Sequence, residues 1–227
     1  YAISGLSVHG LREDSWDLAL FARALFGLPF AINGLSTPEW RAADLFAPAL
    51  MIRSLLAVAF LGVLYYALQV ISPGNAFALV SMRPIWVATI CLMLGQNKVK
   101  IIFWPLAMMG VFGVALMEGN HLSDSPGFIA IASAIGILGA GSTIAINYCQ
   151  KHSESLMTFH YTMFMLVVST IFMLVSGDVS KIGALINWRI LFLLVMMGVS
   201  GNLYTLYSIK SVKVAGAEAG SLIVLLT

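Results

Sequence analysis

The residues in this chain best suited to chemistry are Arg83 and its neighbours. Arg83 is the one charge in the apolar run from Ala76 to Gly95, and Pro84 follows it directly. A charged side chain that deep in an apolar run is costly and marks a candidate functional site. Its guanidinium could hold a carboxylate or phosphate through paired hydrogen bonds. Trp86, three residues on, shares its helical face and could supply a flat apolar wall or stack on an aromatic ligand. The structural alternative is an arginine that bonds the carbonyls freed at Pro84, or one that snorkels to the interface.

A second set is marked by spacing. Gly62, Tyr65, Tyr66 and Gln69 recur at helical intervals, and 136 residues later so do Gly198, Gly201, Asn202 and Thr205. Small residues beside hydrogen-bonding ones suit a polar cavity, with the close packing of membrane helices as the alternative. The substrate-contact candidates are therefore Tyr65, Tyr66, Gln69, Arg83, Trp86, Asn202 and Thr205. Arg23 lies near the start of its apolar run, which suits an interfacial or structural role. His160 is expected to be structural, with titration in a proton-coupled cycle as the alternative. Glu218 opens an apolar run, where an acid favours a helix N-terminus.

Catalytic constellations are not in evidence. The histidines at 9, 121, 152 and 160 are scattered, and no Cys/His spacing suits a metal. No nucleophile–base set or pair of aspartates falls on facing apolar segments. No GxxxxGK[ST] loop is present, so ATP drive within this chain is not expected. Cys91 and Cys149 read as small packing residues. We expect no enzyme activity, no cofactor and no metal.

The elements that must position these residues are membrane helices. Apolar residues make up 60% of the 227 and charged residues 10%, against about 25% charged in ordinary globular chains. Mean hydropathy is +0.94. The net charge of +2 is spread singly between apolar runs and forms no patch for nucleic acid. Seven complete spans are expected, at 18–34, 54–71, 76–95, 101–117, 127–148, 156–177 and 190–209, with a partial one at each end. The segments at 35–52 and 210–218 read as loops. The chain starts at Tyr1 and stops within an apolar run, so we expect a fragment. Alternate loops carry seven Lys/Arg on one side (Arg41, Arg53, Lys98, Lys100, Lys151, Lys210, Lys213) and three on the other (Arg12, Lys181, Arg189). The seven-residue side is expected to be cytoplasmic.

The chain also aligns with itself. A shift of 136 places Arg53 on Arg189, Leu55 on Leu191 and Gly62 on Gly198. A shift of 138 places Ser15 on Ser153, Leu18 on Leu156, Phe21 on Phe159 and Phe26 on Phe164. The paired spans 54–71 and 190–209 should cross in opposite directions, as in the inverted repeats of many transporters.

With these features the chain resembles the EamA-type transporters of the drug/metabolite transporter superfamily. Phe21-Ala22-Arg23 looks like the aromatic-x-Arg of that family's second helix, with Phe159-His160-Tyr161 at the second-repeat position. Ser81-Met82-Arg83-Pro84 looks like its fourth helix, and Leu94-Gly95-Gln96 resembles the leucine-glycine-glutamate closing it, with Gln in place of the acid. Gly110-Val111-Phe112-Gly113-Val114 looks like its glycine-rich fifth helix. Arg83 departs from the family's usual small residue there. The resemblance implies an all-α polytopic fold of ten helices in two inverted five-helix repeats, here 1–117 and 127–227. Most of the first helix, the end of the ninth and the tenth would be missing. It further implies a central cavity between helices three, four, eight and nine. The expected function is secondary transport, by export or exchange, of small organic metabolites such as amino acids. The expected setting is a bacterial inner membrane, with the lipid bilayer and a small-molecule substrate as partners, no nucleic acid, and a homodimer compatible with the sequence. The alternative is a channel or a structural membrane subunit.

Overall fold

Proline and serine set most of the helix starts. The computed structural model describes residues 16–33, 42–95, 104–105, 108–109, 112, 126–176 and 188–225. In order these form α1 (Trp16–Asn33), a 3-10 turn (Ala42–Phe46), α2 (Pro48–Val70), α3 (Pro73–Ser81), α4 (Arg83–Met93), α5 (Pro126–Tyr148), α6 (Glu154–Ser176) and α7 (Trp188–Leu225). Among the described residues there is no strand.

α2 opens at Pro48, after the extended Ala47. Proline suits the first helical position, because its missing N–H would be unpaired there anyway. The expected loop at 35–52 therefore ends early, and Arg53 lies inside a helix. α3 opens at Pro73 behind Ser72, whose hydroxyl accepts from the Asn75 N–H at 3.3 Å. The single span expected at 76–95 is two helices meeting at Met82. Met82 keeps near-helical angles (φ −75°, ψ −9°), and Pro84 prevents an unbroken hydrogen-bond ladder through the joint. Ser153 caps α6, accepting from the Leu156 N–H at 3.2 Å.

The expected loop at 210–218 is helical as far as Gly216. There φ is +83°, in the left-handed region that glycine tolerates, and the helix breaks. Lys213 holds this part of α7 down. Its ammonium sits 3.0 Å from the Glu154 carboxylate and donates to the His152 carbonyl.

These contacts define one end of the bundle. The start of α6, the 149–153 turn and Lys213 meet there. The ring of His160 in α6 reaches the Leu45 carbonyl, which brings the start of α2 to the same end. The ring of Trp16 of α1 packs at a tilt, 4.8 Å between centroids, on Phe172, far along α6, whereas Ala31 lies near Ser155 and Thr158. So α1, α5 and α7 run toward this end, and α2 and α6 run away from it. It carries Lys151, Lys210 and Lys213, and is called the basic end below.

Close crossings rely on absent side chains. A Cβ on Gly198 of α7 would lie 2.8 Å from Phe26 Cβ and 3.0 Å from the Gly27 nitrogen of α1. A Cβ on Gly136 of α5 would meet the Trp86 indole at 2.2 Å. Small residues let membrane helices approach this closely, and van der Waals contact then stabilises the pair. Among the described residues four helices are long and apolar enough to cross a membrane: Pro48–Val70, Ala130–Tyr148, Glu154–Ser176 and Ile190–Ala217. The protein is a multi-pass, all-helical membrane protein. The span expected at 101–117, the partial span before α1 and the final residues fall mainly outside the described residues.

Candidate functional site

Three arginines converge on one cavity. Arg23 of α1, Arg53 of α2 and Arg83 of α4 line it together with Ala57, Phe60 and Leu61 of α2, Ser142, Thr143 and Ile146 of α5, Tyr161 of α6, and Tyr204, Thr205 and Ser208 of α7. Helices from both halves of the chain therefore enclose it. Its volume is about 50 Å³, room for a few water molecules. That is well below the few hundred Å³ of a typical small-molecule pocket. Among the described lining residues there is no Asp or Glu.

Each arginine is held by a different helix from its own. Arg23 is 2% exposed; it donates to Tyr65 Oη at 3.0 Å and to the Gly201 carbonyl at 3.2 Å. The latter contact needs Gly201, because a Cβ there would lie 2.6 Å from the Arg23 guanidinium carbon. Arg53 donates to the Met157 carbonyl at 3.3 Å and lies 5.0 Å over the Tyr161 ring, a cation–π distance. Arg83 donates to Tyr204 Oη at 3.1 Å and lies 5.7 Å from the Phe60 ring centre. It therefore turns inward and does not snorkel.

Depth follows from position along the helices. Arg83 is ten residues from the last residue of α4, and Arg23 ten from the end of α1. α4 also ends at the basic end, its Val87 and Cys91 sharing a buried cluster with Leu50, Cys149 and Leu156, so at about 1.5 Å per residue both arginines lie roughly 15 Å in from that end, while Arg53 is only about 8 Å from the start of α2. The cavity thus runs from mid-bundle toward the basic end. Its hydroxyls are paired locally. Ser142 and Thr143 both donate to the Gly139 carbonyl at 2.9 Å, and Thr205 donates to the Gly201 carbonyl at 2.8 Å. Such side-chain bonds to a helix's own carbonyls exchange easily for a ligand, because the carbonyl keeps its backbone partner.

The sequence-derived candidates separate into groups. Arg83 and Thr205 line the cavity. Tyr65 stands behind it, 1% exposed, orienting Arg23. Trp86 packs on Gly136 one turn from the place where Arg83 crosses Gly139, so the two share a face toward α5, and Trp86 is outside the cavity lining. Asn202 ties three helices: its amide donates to the Gly27 carbonyl, and its oxygen accepts from Thr162 Oγ1 at 3.1 Å. Tyr66 is 47% exposed and borders an outward groove of about 400 Å³ between α1, α2 and α6, lined almost wholly by apolar side chains. Gln69 lies near the far end of α2. The cavity face of α2 is instead Arg53, Ala57, Phe60 and Leu61, on nearly the opposite side of the helix from the Gly62–Tyr66 face.

The sequence reading assigned Arg53 to a loop and did not single out Ser142, Thr143, Tyr204 or Ser208. Pro48 was the available signal for Arg53, since proline at a helix start places it a turn and a half inside. His160 is engaged at both ring nitrogens. Its Nε2 is 2.9 Å from the Leu45 carbonyl, which only accepts, so Nε2 carries the proton. Nδ1 then accepts from Ser54 Oγ at 2.7 Å. Among the described residues no group of three or more His, Cys, Asp or Glu could hold a metal.

Fold and site together define a class: an all-helical, multi-pass membrane protein enclosing a cationic, hydroxyl-rich cavity. Comparison with protein-family models, with curated proteins and with solved structures finds no match.

Proposed function

We propose that this protein is a secondary transporter of small organic metabolites, amino acids and related solutes among them, working by alternating access. The observation that carries this reading is the polar cavity inside an apolar bundle, lined from both halves of the chain. Transporters built from repeats place their solute site near the midplane between the halves, and rocking of one against the other exposes it to each side in turn. At about 50 Å³ the cavity is too small for such a solute, and the bundle must widen to admit one.

Helix directions support an inverted repeat. α1 and α6, related by the shift of 138, are antiparallel, and so are α2 and α7, related by the shift of 136. Arg23 and Tyr161, 138 apart, both reach the cavity. On this reading the halves are 1–117 and 127–227 of an EamA-like, ten-helix drug/metabolite transporter in a bacterial inner membrane, with the basic end cytoplasmic. It carries no enzyme chemistry and needs no cofactor.

The test is uptake into proteoliposomes of a panel of amino acids, purines and organic acids, with and without a pH gradient. Saturable uptake of one class, lost in a folded Arg83→Ala variant, is expected. Flux rising linearly with concentration would indicate a channel instead, and no flux of any solute would indicate a structural subunit.

A further inference from the structure

Arg53 carries a fixed charge into the bundle. It is 3% exposed, and a guanidinium keeps its proton when buried, where a lysine would shed it. Among the described residues it donates to the Met157 carbonyl and lies over the Tyr161 ring, and neither partner is charged. Its Nε is buried with no hydrogen-bond partner. Buried charges are ordinarily paired. Yet no carboxylate among the described residues lines the cavity: Glu154 is bound to Lys213, and Asp44 sits in the 3-10 turn.

Depth places three hydroxyls at the level of Arg53. At about 1.5 Å per residue, Arg53 lies about 8 Å in from the start of α2, and Ser142 and Thr143 lie about 8–9 Å in from the end of α5. Ser208 stands about 8 Å before Lys213 on α7. All four line the cavity and form its half nearer the basic end. Arg23 and Arg83 lie about twice as deep.

We propose that this half of the cavity binds a small inorganic monoanion of chloride size, with Arg53 as its counter-charge and Ser142, Thr143 and Ser208 as further donors. One guanidinium matches one negative charge. The space of about 50 Å³ holds a few waters, and so a halide with part of its hydration, but no larger organic solute. A hydrogen bond with one ionised partner is about twice as strong as a neutral one, and here both the guanidinium and the anion are charged. Ser142 and Thr143 now donate to the Gly139 carbonyl and can rotate from it to the ion. The ion would also screen Arg53 from Lys151, Lys210 and Lys213 at the same end of the bundle. The site goes beyond the transporter reading and does not rest on it, because binding requires no flux.

The experiment is chloride NMR line broadening by the purified full-length protein in detergent. Sodium chloride is titrated against sodium gluconate at constant ionic strength, and sodium bromide is added as competitor. We expect broadening beyond that of detergent alone, saturating with chloride and relieved by bromide. Half-saturation should rise at least about tenfold in Arg53→Gln, as loss of a charge-assisted bond requires. The double variant Ser208→Ala, Thr143→Val keeps Arg53 and the helices, and should weaken binding several-fold even if Arg53→Gln does not fold. No excess broadening by the wild-type protein would overturn the site. So would saturable broadening left unchanged in a folded Arg53→Gln or in the double variant, because surface lysines alone would then account for it. Chloride binding without solute flux in proteoliposomes would uphold this site and remove the transporter reading. Saturable solute flux with no chloride broadening would do the reverse.

Discussion

Asn202 and Arg83 are both polar, both buried and both on helices in an apolar medium, yet they do different work. Asn202 spends its amide on Gly27 and its oxygen on Thr162, so it is satisfied within the bundle. Asn202→Ala should cost about 1–2 kcal/mol, the upper range for interhelical hydrogen bonds in membranes, and should leave solute half-saturation near the wild-type value. Thermal melts beside uptake curves would check both halves of that expectation. His152 gives a pH dependence. Burial pushes its imidazole below the ordinary histidine range, and Lys151 adds to the shift. The unfolded chain therefore binds a proton first, and stability should fall as pH drops below about 6.5. Melting curves from pH 7.5 to 5.5 should show this loss, and His152→Gln should flatten it. Sequence pointed to Arg83 because a charge amid apolar residues stands out. It did not point to Arg53, because a charge near the end of an apolar run looks like a loop until the helix start at Pro48 is recognised.

At the scale of helices, glycine placement decides which crossings are tight. Gly198→Ala pushes a methyl into the backbone of α1 and should destabilise by about 1–3 kcal/mol. Gly62→Ala meets only Trp16 at 3.8 Å and should be neutral or slightly stabilising, since alanine is the better helix former. Denaturation of the two variants in parallel would show whether these assignments hold. The existence of α1, α2, α5, α6 and α7 was legible in the apolar runs, because length and composition alone define a membrane span. The faces were not. In a soluble helix polarity marks the outside, but in a bilayer lipid and protein interior are equally apolar. Tyr66 and Gln69 therefore looked like interior residues as much as Tyr65 did. The break at Met82 was signalled by Pro84. The extension of α7 to Gly216 was hidden by the charges of Lys210 and Lys213, which read as a loop until the pairing of Lys213 with Glu154 is seen.

Across the whole molecule, the antiparallel pairs α1/α6 and α2/α7 surround a cavity that reaches from mid-bundle toward the basic end. These directions are those that the proposed inverted repeat requires of its paired helices. The proposed transport requires access to the cavity from both sides of the membrane, one side at a time. Ser208 lines the cavity on α7, and the two native cysteines, Cys91 and Cys149, are buried and can be replaced. A single Ser208→Cys in that background would be exposed, in oriented vesicles, to a membrane-impermeant thiol reagent applied from one face or the other. Labelling from either face, slowed in both cases by the transported solute, is the expected result. Labelling from one face only, whatever solute is present, would contradict alternating access and leave the cavity a closed-ended pocket.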